Sequence, residues 1–488
     1  MQGSPAINRL LGSEGLGVIC LGPHPETVRL FGTNGIRDVV GDRMTAPFVT
    51  SVAAAIGRAY PVGAPIAVGW DGRTSSPAFA DIVAGTLAAS GHSVVELGLL
   101  PTPAIQYNVR SVGAQLAVIV TASHNPPEFN GLKCIAADGL ELPRSEEERI
   151  ENLVESGEIR SVPFDRIGGI HSDTHGGERY LHGILSKVSR DAIISKHFRV
   201  LLDCANGASA ETSPSLLRRL GCRFTTLNGQ VDGTFPGHLS EPTEQNLQQL
   251  IHTVPALGVD FGVAHDGDAD RAIFVDSRGR YVPGERILTW FAREFVRQRH
   301  GGLVVVPVTA SQSVEEVVKA EGGQVLYTAV GSPSITRAMQ QRGAIFGGED
   351  NGGYIFPRLQ IARDGAMTLA TVLDFMTHLN ASLEEALSDL PQYFVEKQKV
   401  ACPTALRPAV MERLSAELAQ GADRVVTLDG VKAYQGRGWV LLRPSGTEPL
   451  FRIFSEDPDP ETAQRRAAAV VARVTSVVAE LEGPAGRS

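Results

Sequence analysis

Cysteine is scarce in this 488-residue chain: five residues, Cys20, Cys134, Cys204, Cys222 and Cys402. Their number is odd and no two form a Cys-x-x-Cys pair, which argues against a disulfide framework or a zinc ribbon and for a reducing, cytoplasmic setting. No apolar run approaches the roughly 20 residues of a membrane span. The stretch from Leu16 to Leu21 is short, contains Gly17, follows Glu14 and precedes Pro23 and Pro25, so it reads as part of an N-terminal extension rather than a signal peptide. Long runs of Lys or Arg are missing and the formal net charge is −9, so neither nucleic acid nor a membrane is an expected partner. A small anionic substrate remains compatible, because a local Arg cluster can sit in an acidic protein. Low-complexity linkers are also absent.

What is present is a globular composition, 43% hydrophobic and 20% charged. The length is too great for one ordinary core and implies three or four domains. Short β-rich runs alternate with Ala-rich helical stretches. Ile66–Gly69 reads as a strand, 78–91 as a helix, 92–97 and Leu116–Val120 as strands. The pattern returns at Val200–Leu202 and Gly258–Ala264, and again at Leu303–Val306 and Ala344–Phe346. Such alternation predicts α/β units with mixed, mostly parallel sheets. After about residue 388 the texture changes, with Trp439–Leu442, Phe451–Phe454 and a helical tail over 461–482, which reads as a smaller α+β domain. The expected division is an extension over 1–26 and domains over 27–167, 168–275, 276–388 and 389–488.

Four loops carry chemistry. Thr121-Ala-Ser-His-Asn-Pro-Pro127 follows an apolar strand, and ligand sites in open α/β sheets lie beyond the carboxyl ends of strands. Ser123, flanked by His124, is a candidate nucleophile there, with an ordinary polar turn as the alternative. Asp266-Gly-Asp-Ala-Asp270, followed by Arg271, puts three carboxylates at alternate positions. They repel unless a cation joins them, and hard oxygen ligands select Mg²⁺ or Ca²⁺. An EF-hand does not fit, because Arg271 and Ser277 stand where Gly and Glu are required; a solvated acidic turn is the other alternative. In Gly347-Gly-Glu-Asp-Asn-Gly-Gly353, Glu349 and Asn351 offer hydrogen-bonding groups suited to sugar hydroxyls, though a Gly-rich turn would read the same. Arg443-Pro-Ser-Gly-Thr-Glu-Pro449, with Arg452 beyond, offers Ser445, Gly446, Thr447 and two guanidinium groups to a phosphate, or is simply a hairpin turn. A nucleophile, a metal site, a hydroxyl reader and a phosphate cradle together suggest a phosphosugar transferase.

These segments, with Phe31-Gly-Thr-Asn-Gly-Ile-Arg37 and Lys133, occur in one order from about Leu30 to about Glu456. In that order and spacing the chain resembles the α-D-phosphohexomutase superfamily. The resemblance implies four domains around a central cleft, three similar α/β domains and a C-terminal α+β domain, each contributing one loop. It makes Ser123 the phosphorylated serine, which with Asp266, Asp268 and Asp270 would hold Mg²⁺. Lys133 falls at a candidate proton-transfer position, with Arg37, Arg271 and His124 in the same catalytic group. Glu349 and Asn351 match sugar-reading positions, and Arg443, Ser445, Gly446 and Thr447 the distal phosphate site, beside Arg452. Two departures stand out. Gly353 occupies a place where bacterial phosphoglucosamine mutases and phosphomannomutases often carry His, and Ser332 a place where Asp is common. The Gly-Glu-Asp-Asn-Gly-Gly form and Arg363-Asp-Gly-Ala-Met367 look more like archaeal members.

The implied activity interconverts a hexose 1-phosphate and a hexose 6-phosphate (glucosamine, mannose or glucose) through phosphoserine and a hexose 1,6-bisphosphate, which also serves as activator. The alternative is a metal-dependent sugar-phosphate phosphatase, which would not need the distal phosphate loop. Neither the preferred sugar nor a monomeric or dimeric state is expressed in the sequence.

Overall fold

The computed structural model describes residues 29–32, 34–445 and 448–482. The expected extension over 1–26 and two candidate site residues, Gly446 and Thr447, lie outside them. From Phe31 onward the chain forms one compact unit.

Four sheets follow one another along the chain. In the first, Leu116–Val120 runs parallel to Ile66–Trp70, which is parallel to Val94–Leu99; on its other side it pairs antiparallel with Phe129–Ala136. The second repeats the order: Arg223–Leu227, Arg199–Asp203 and Phe261–His265 are parallel, and Ala272–Asp276 returns antiparallel. The third does so again with Gln324–Thr328, Leu303–Pro307, Phe346–Gly348 and Tyr354–Phe356. The parallel strands need helical crossovers, whereas the antiparallel return needs only a loop. All five residues of Leu116–Val120 and of Phe261–His265 are buried, as is usual for strands covered on both faces. The fourth sheet is wholly antiparallel, in the order Phe394–Ala401, Leu450–Asp457, Gly438–Pro444, Val431–Gln435, Arg424–Val426. Helices Arg407–Ala419 and Pro460–Glu482 cover it through Val410, Leu414, Val470 and Val474. Among the described residues no helix is long and apolar enough to cross a membrane.

This repetition positions the site. The loops holding Ser123, the Asp triad and Glu349 are the same connection in three copies of one topology, each leaving the last parallel strand and turning back.

Two expectations need correction. The domain boundaries at 167/168 and 275/276 each fall before a short strand of the preceding sheet: Ile170–Ser172 pairs with Val94–Glu96, and Tyr281–Val282 pairs with Phe274–Val275. The strand expected over 258–264 begins at Phe261, because Gly258 (φ 58°) caps helix Gln248–Leu257 in the left-handed conformation.

Candidate active site

Ser123 sits just past Leu116–Val120 with φ 51°. That left-handed conformation costs a residue bearing a Cβ on the order of 1–2 kcal/mol, so the surroundings must impose it. The Ser123 N–H donates to Thr121 Oγ1 at 2.9 Å, and its carbonyl accepts from Arg73 Nη2 at 2.8 Å. Arg73 is 1% exposed and also donates to the carbonyls of Asn125 (2.6 Å), Pro126 (2.6 Å) and Phe129 (2.8 Å). It pairs with Asp71 at 3.2 Å and lies over the Phe235 ring at 5.1 Å. One guanidinium thereby gathers four carbonyls between Ser123 and Phe129. The turn sets Ser123 Oγ 3.2 Å from Asp266 Oδ2 and 3.4 Å from His124 Nδ1.

Asp266, Asp268 and Asp270 are all buried, and candidate ligand oxygens from the three lie within 4.8 Å of one another. Burial and its two neighbours push the Asp266 carboxyl well above the usual carboxylate range. For Asp270 burial works in the same direction, but Arg363, Lys133 and Arg271 outweigh it and hold that carboxyl below the range. Asp266 accepts from Ser123 Oγ and from the Arg271 N–H, and Asp268 Oδ2 from Thr102 Oγ1 at 2.7 Å. Asp268 Oδ1 and Asp270 Oδ1 have no hydrogen-bond partner among the described residues. Orphaned, buried carboxylate oxygens beside one another form a donor set that fits a hard divalent cation. Gly267 lets this loop meet the first, since a Cβ there would lie 2.7 Å from the Ser123 carbonyl oxygen.

Cations surround these anions. Lys133, on Phe129–Ala136, is buried with Nζ 3.7 Å from Asp270 Oδ2. Arg271 Nε lies 3.7 Å from Asp266 Oδ2 and 3.9 Å from Asp270 Oδ1, and its Nη2 3.0 Å from His124 Nδ1. Arg37 donates to Asn125 Oδ1 at 3.1 Å. Burial, with Arg271 and Arg37 nearby, holds His124 down to about 2, so its ring is neutral and Nδ1 accepts from Arg271.

In the third loop, Glu349 is 5% exposed and accepts from Arg363 Nη1 at 3.0 Å. Asn351 Oδ1 accepts from the Gly353 N–H at 3.2 Å. Ser332 Oγ donates to the buried Glu141 at 3.0 Å, and Asn34 Nδ2 donates to Ser332. A carboxylate at 332 would face Glu141, which accounts for the serine there.

The fourth loop is not brought against Ser123 by any contact among the described residues. Arg443 donates to Asp429 at 2.8 Å, and Asp429 accepts from the Val330 N–H at 3.0 Å, which ties this loop to the third domain. Arg452 pairs with Glu448 at 2.8 Å. Ser445 is buried, and its carbonyl accepts from Arg407 at 2.6 Å.

Three residues outside the sequence-based set thus shape the site: Arg73, Thr102 and Arg363. Each stands just past a strand or at its end: Arg73 after Ile66–Trp70, Thr102 after Val94–Leu99, and Arg363 closing Gln360–Arg363. That placement was a legible signal for the first two.

The chain matches phosphoglucomutase/phosphomannomutase alpha/beta/alpha domain I over residues 28–160, domain II over 178–279 and domain III over 283–394, and the C-terminal domain over 397–473. It is 37% identical to a probable phosphoglucosamine mutase of Methanopyrus kandleri, over 89% of this chain and 95% of that protein. It is 36% identical to a phosphoglucomutase/phosphomannomutase of Thermococcus kodakarensis, over 89% and 96%. A solved phosphoglucomutase/phosphomannomutase family protein from Burkholderia thailandensis superposes with a TM-score of 0.83 at 25% identity, over 92% of this chain and 97% of that one. With all four domains matched in order, this chain belongs to the phosphoglucomutase/phosphomannomutase family.

Proposed function

We propose that the protein is a phosphohexomutase that interconverts hexose 1-phosphate and hexose 6-phosphate through phosphoserine 123. The observation that carries this reading is the strained turn that holds Ser123 Oγ 3.2 Å from Asp266, next to two buried carboxylate oxygens without partners. Asp266, Asp268, Asp270 and a phosphoserine oxygen would hold Mg²⁺, which supplies charge neutralisation at the transferring phosphoryl group.

In the forward half-reaction the bond from Ser123 Oγ to phosphorus breaks and one from the sugar hydroxyl to phosphorus forms. The hydroxyl loses a proton and the serine oxygen gains one, with Lys133 as the candidate relay. Arg37 and Arg271 stabilise charge on the equatorial oxygens, and neutral His124 orients Arg271. Glu349 and Asn351 accept and donate to sugar hydroxyls. The 1,6-bisphosphate then turns over and returns its other phosphate to Ser123. Arg443, Ser445, Gly446, Thr447 and Arg452 grip whichever phosphate is not reacting. A catalytic amount of hexose 1,6-bisphosphate would load an unphosphorylated serine and so act as activator.

The test supplies glucosamine, glucose and mannose 6-phosphates in turn with Mg²⁺ and the matching bisphosphate, and measures the 1-phosphate and inorganic phosphate. At least one isomer pair should equilibrate with little phosphate release. Intact mass should show one phosphate on the wild type and none on Ser123→Ala, whose turnover should fall about a thousandfold or more. Phosphate release without isomer formation, or near-normal conversion by Ser123→Ala, would overturn the reading.

A further inference from the structure

Gly353 has no backbone reason to be glycine, because it does not occupy the left-handed region. Space is the reason. A Cβ there would lie 2.4 Å from Arg363 Cδ and 3.2 Å from Arg363 Cγ. Arg363, 7% exposed, passes over Gly353 and divides its guanidinium between two loops: Nη2 donates to Asp270 Oδ2 at 2.5 Å, and Nη1 to Glu349 Oε2 at 3.0 Å. The shared neighbourhood holds four buried carboxylates, Asp266, Asp268, Asp270 and Glu349. Among the described residues, the other cations beside the triad are Arg37, Lys133 and Arg271.

We propose that Arg363 is a positioning residue that fixes the sugar-reading Glu349 and the metal-loop Asp270 in one frame, and that Gly353 is glycine in order to admit it. This rests on the phosphohexomutase reading for the meaning of Glu349. The bridge engages Asp270 through Oδ2 and leaves Oδ1 free for a cation, while the other arm keeps Glu349 from folding onto the metal site. Arg is needed for its shape, since a planar fork can serve two carboxylates at once and a lysine ammonium on a flexible stem cannot hold both in register. Residues 353 and 363 are therefore alternatives in space, and any side chain at 353 displaces the arginine.

The experiment compares Arg363→Ala, Arg363→Lys, Gly353→Ala and the double variants of Gly353→Ala with each of the others. KM and kcat are measured for the hexose phosphate that the wild type converts, and the melting temperature is measured on metal-free protein. Arg363→Ala should raise KM about tenfold or more and lower kcat as well, because both a binding and a metal-loop carboxylate lose their partner. Arg363→Lys should recover little of either. Gly353→Ala should reproduce the loss, and adding it to Arg363→Ala should cost nothing further, in kinetics and in melting temperature alike. If Arg363→Ala does not fold, the cycle of Gly353→Ala with Arg363→Lys gives the same comparison. Losses that multiply in the double variants, or wild-type KM and kcat in Arg363→Lys, overturn the proposal. The melting-temperature cycle requires no turnover, so a wild type that converted no hexose phosphate would count against the functional reading and leave the Gly353–Arg363 coupling to be judged separately.

Discussion

At the scale of single residues, the backbone of Ser123 depends on an arginine that binds its carbonyl oxygen and not its hydroxyl. Ser123 keeps a left-handed backbone because Arg73 binds four carbonyl oxygens, those of Ser123, Asn125, Pro126 and Phe129. Arg73 is itself fully buried against Asp71, so truncation leaves both that carboxylate and the carbonyls without a partner. Removing one member of a buried ion pair typically costs about 3–5 kcal/mol. Arg73→Ala should lose that order of stability in chemical denaturation. Arg73→Lys, which keeps the charge but has too few directed donors for the loop, should fold yet show reduced phosphate occupancy at Ser123 by intact mass. Full occupancy and normal turnover in Arg73→Lys would mean that the loop holds its shape without the fork.

At the scale of elements, the fourth loop belongs to a hairpin in which Arg443 and Arg452 are direct cross-strand partners. Like charges placed opposite one another destabilise a ladder unless something neutralises them. Asp429 and Glu448 do so here, one per arginine. A dianionic phosphate would replace both carboxylates as the shared partner. Such a grip is made equally in ground and transition states, so it shows chiefly in KM. Losing one charged hydrogen bond costs about 1.5–3 kcal/mol, so Arg443→Ala should raise KM roughly ten- to a hundredfold with a smaller effect on kcat. The demand for bisphosphate activator should rise with it. Unchanged KM for both isomers would place the distal phosphate elsewhere.

At the scale of the whole molecule, the site is one of the places where domains are joined. Thr102 of the first sheet's domain bonds Asp268 of the second, and Arg363 of the third bonds Asp270. Lys432 of the fourth donates to the Val308 and Ala310 carbonyls of the third. A cation bound to the Asp triad therefore stabilises a junction rather than a loop. Mg²⁺ at about a hundred times its Kd should add about 2.7 kcal/mol to the stability of the folded state, and chelation should remove it. Asp268→Asn should abolish most of that increment, because an amide brings the cation no charge and presents a donor on one side. Thermal unfolding with Mg²⁺ and with chelator checks this, and an equal Mg²⁺ shift in the two proteins would mean that the ion binds elsewhere.

The sequence by itself determined the elements whose cause is local. Leu116–Val120 is a strand because five consecutive apolar, mostly β-branched residues have no polar face to offer water. The loops with Ser123, Asp266 to Asp270 and Glu349 were legible because each concentrates chemistry directly after such a run. Tertiary structure decided what satisfies those groups. Arg73 lies 50 residues from Ser123, Thr102 lies 166 from Asp268, and Arg363 lies 93 from Asp270. No periodicity links positions so far apart; only the packing of three repeated sheets brings them within hydrogen-bond reach. The same holds for Gly353 and Ser332, which look like missing functional groups in the sequence. In the fold, one leaves room for an arginine and the other faces a buried glutamate, because a site assembled from separate domains is filled by volume and charge and not by position along the chain.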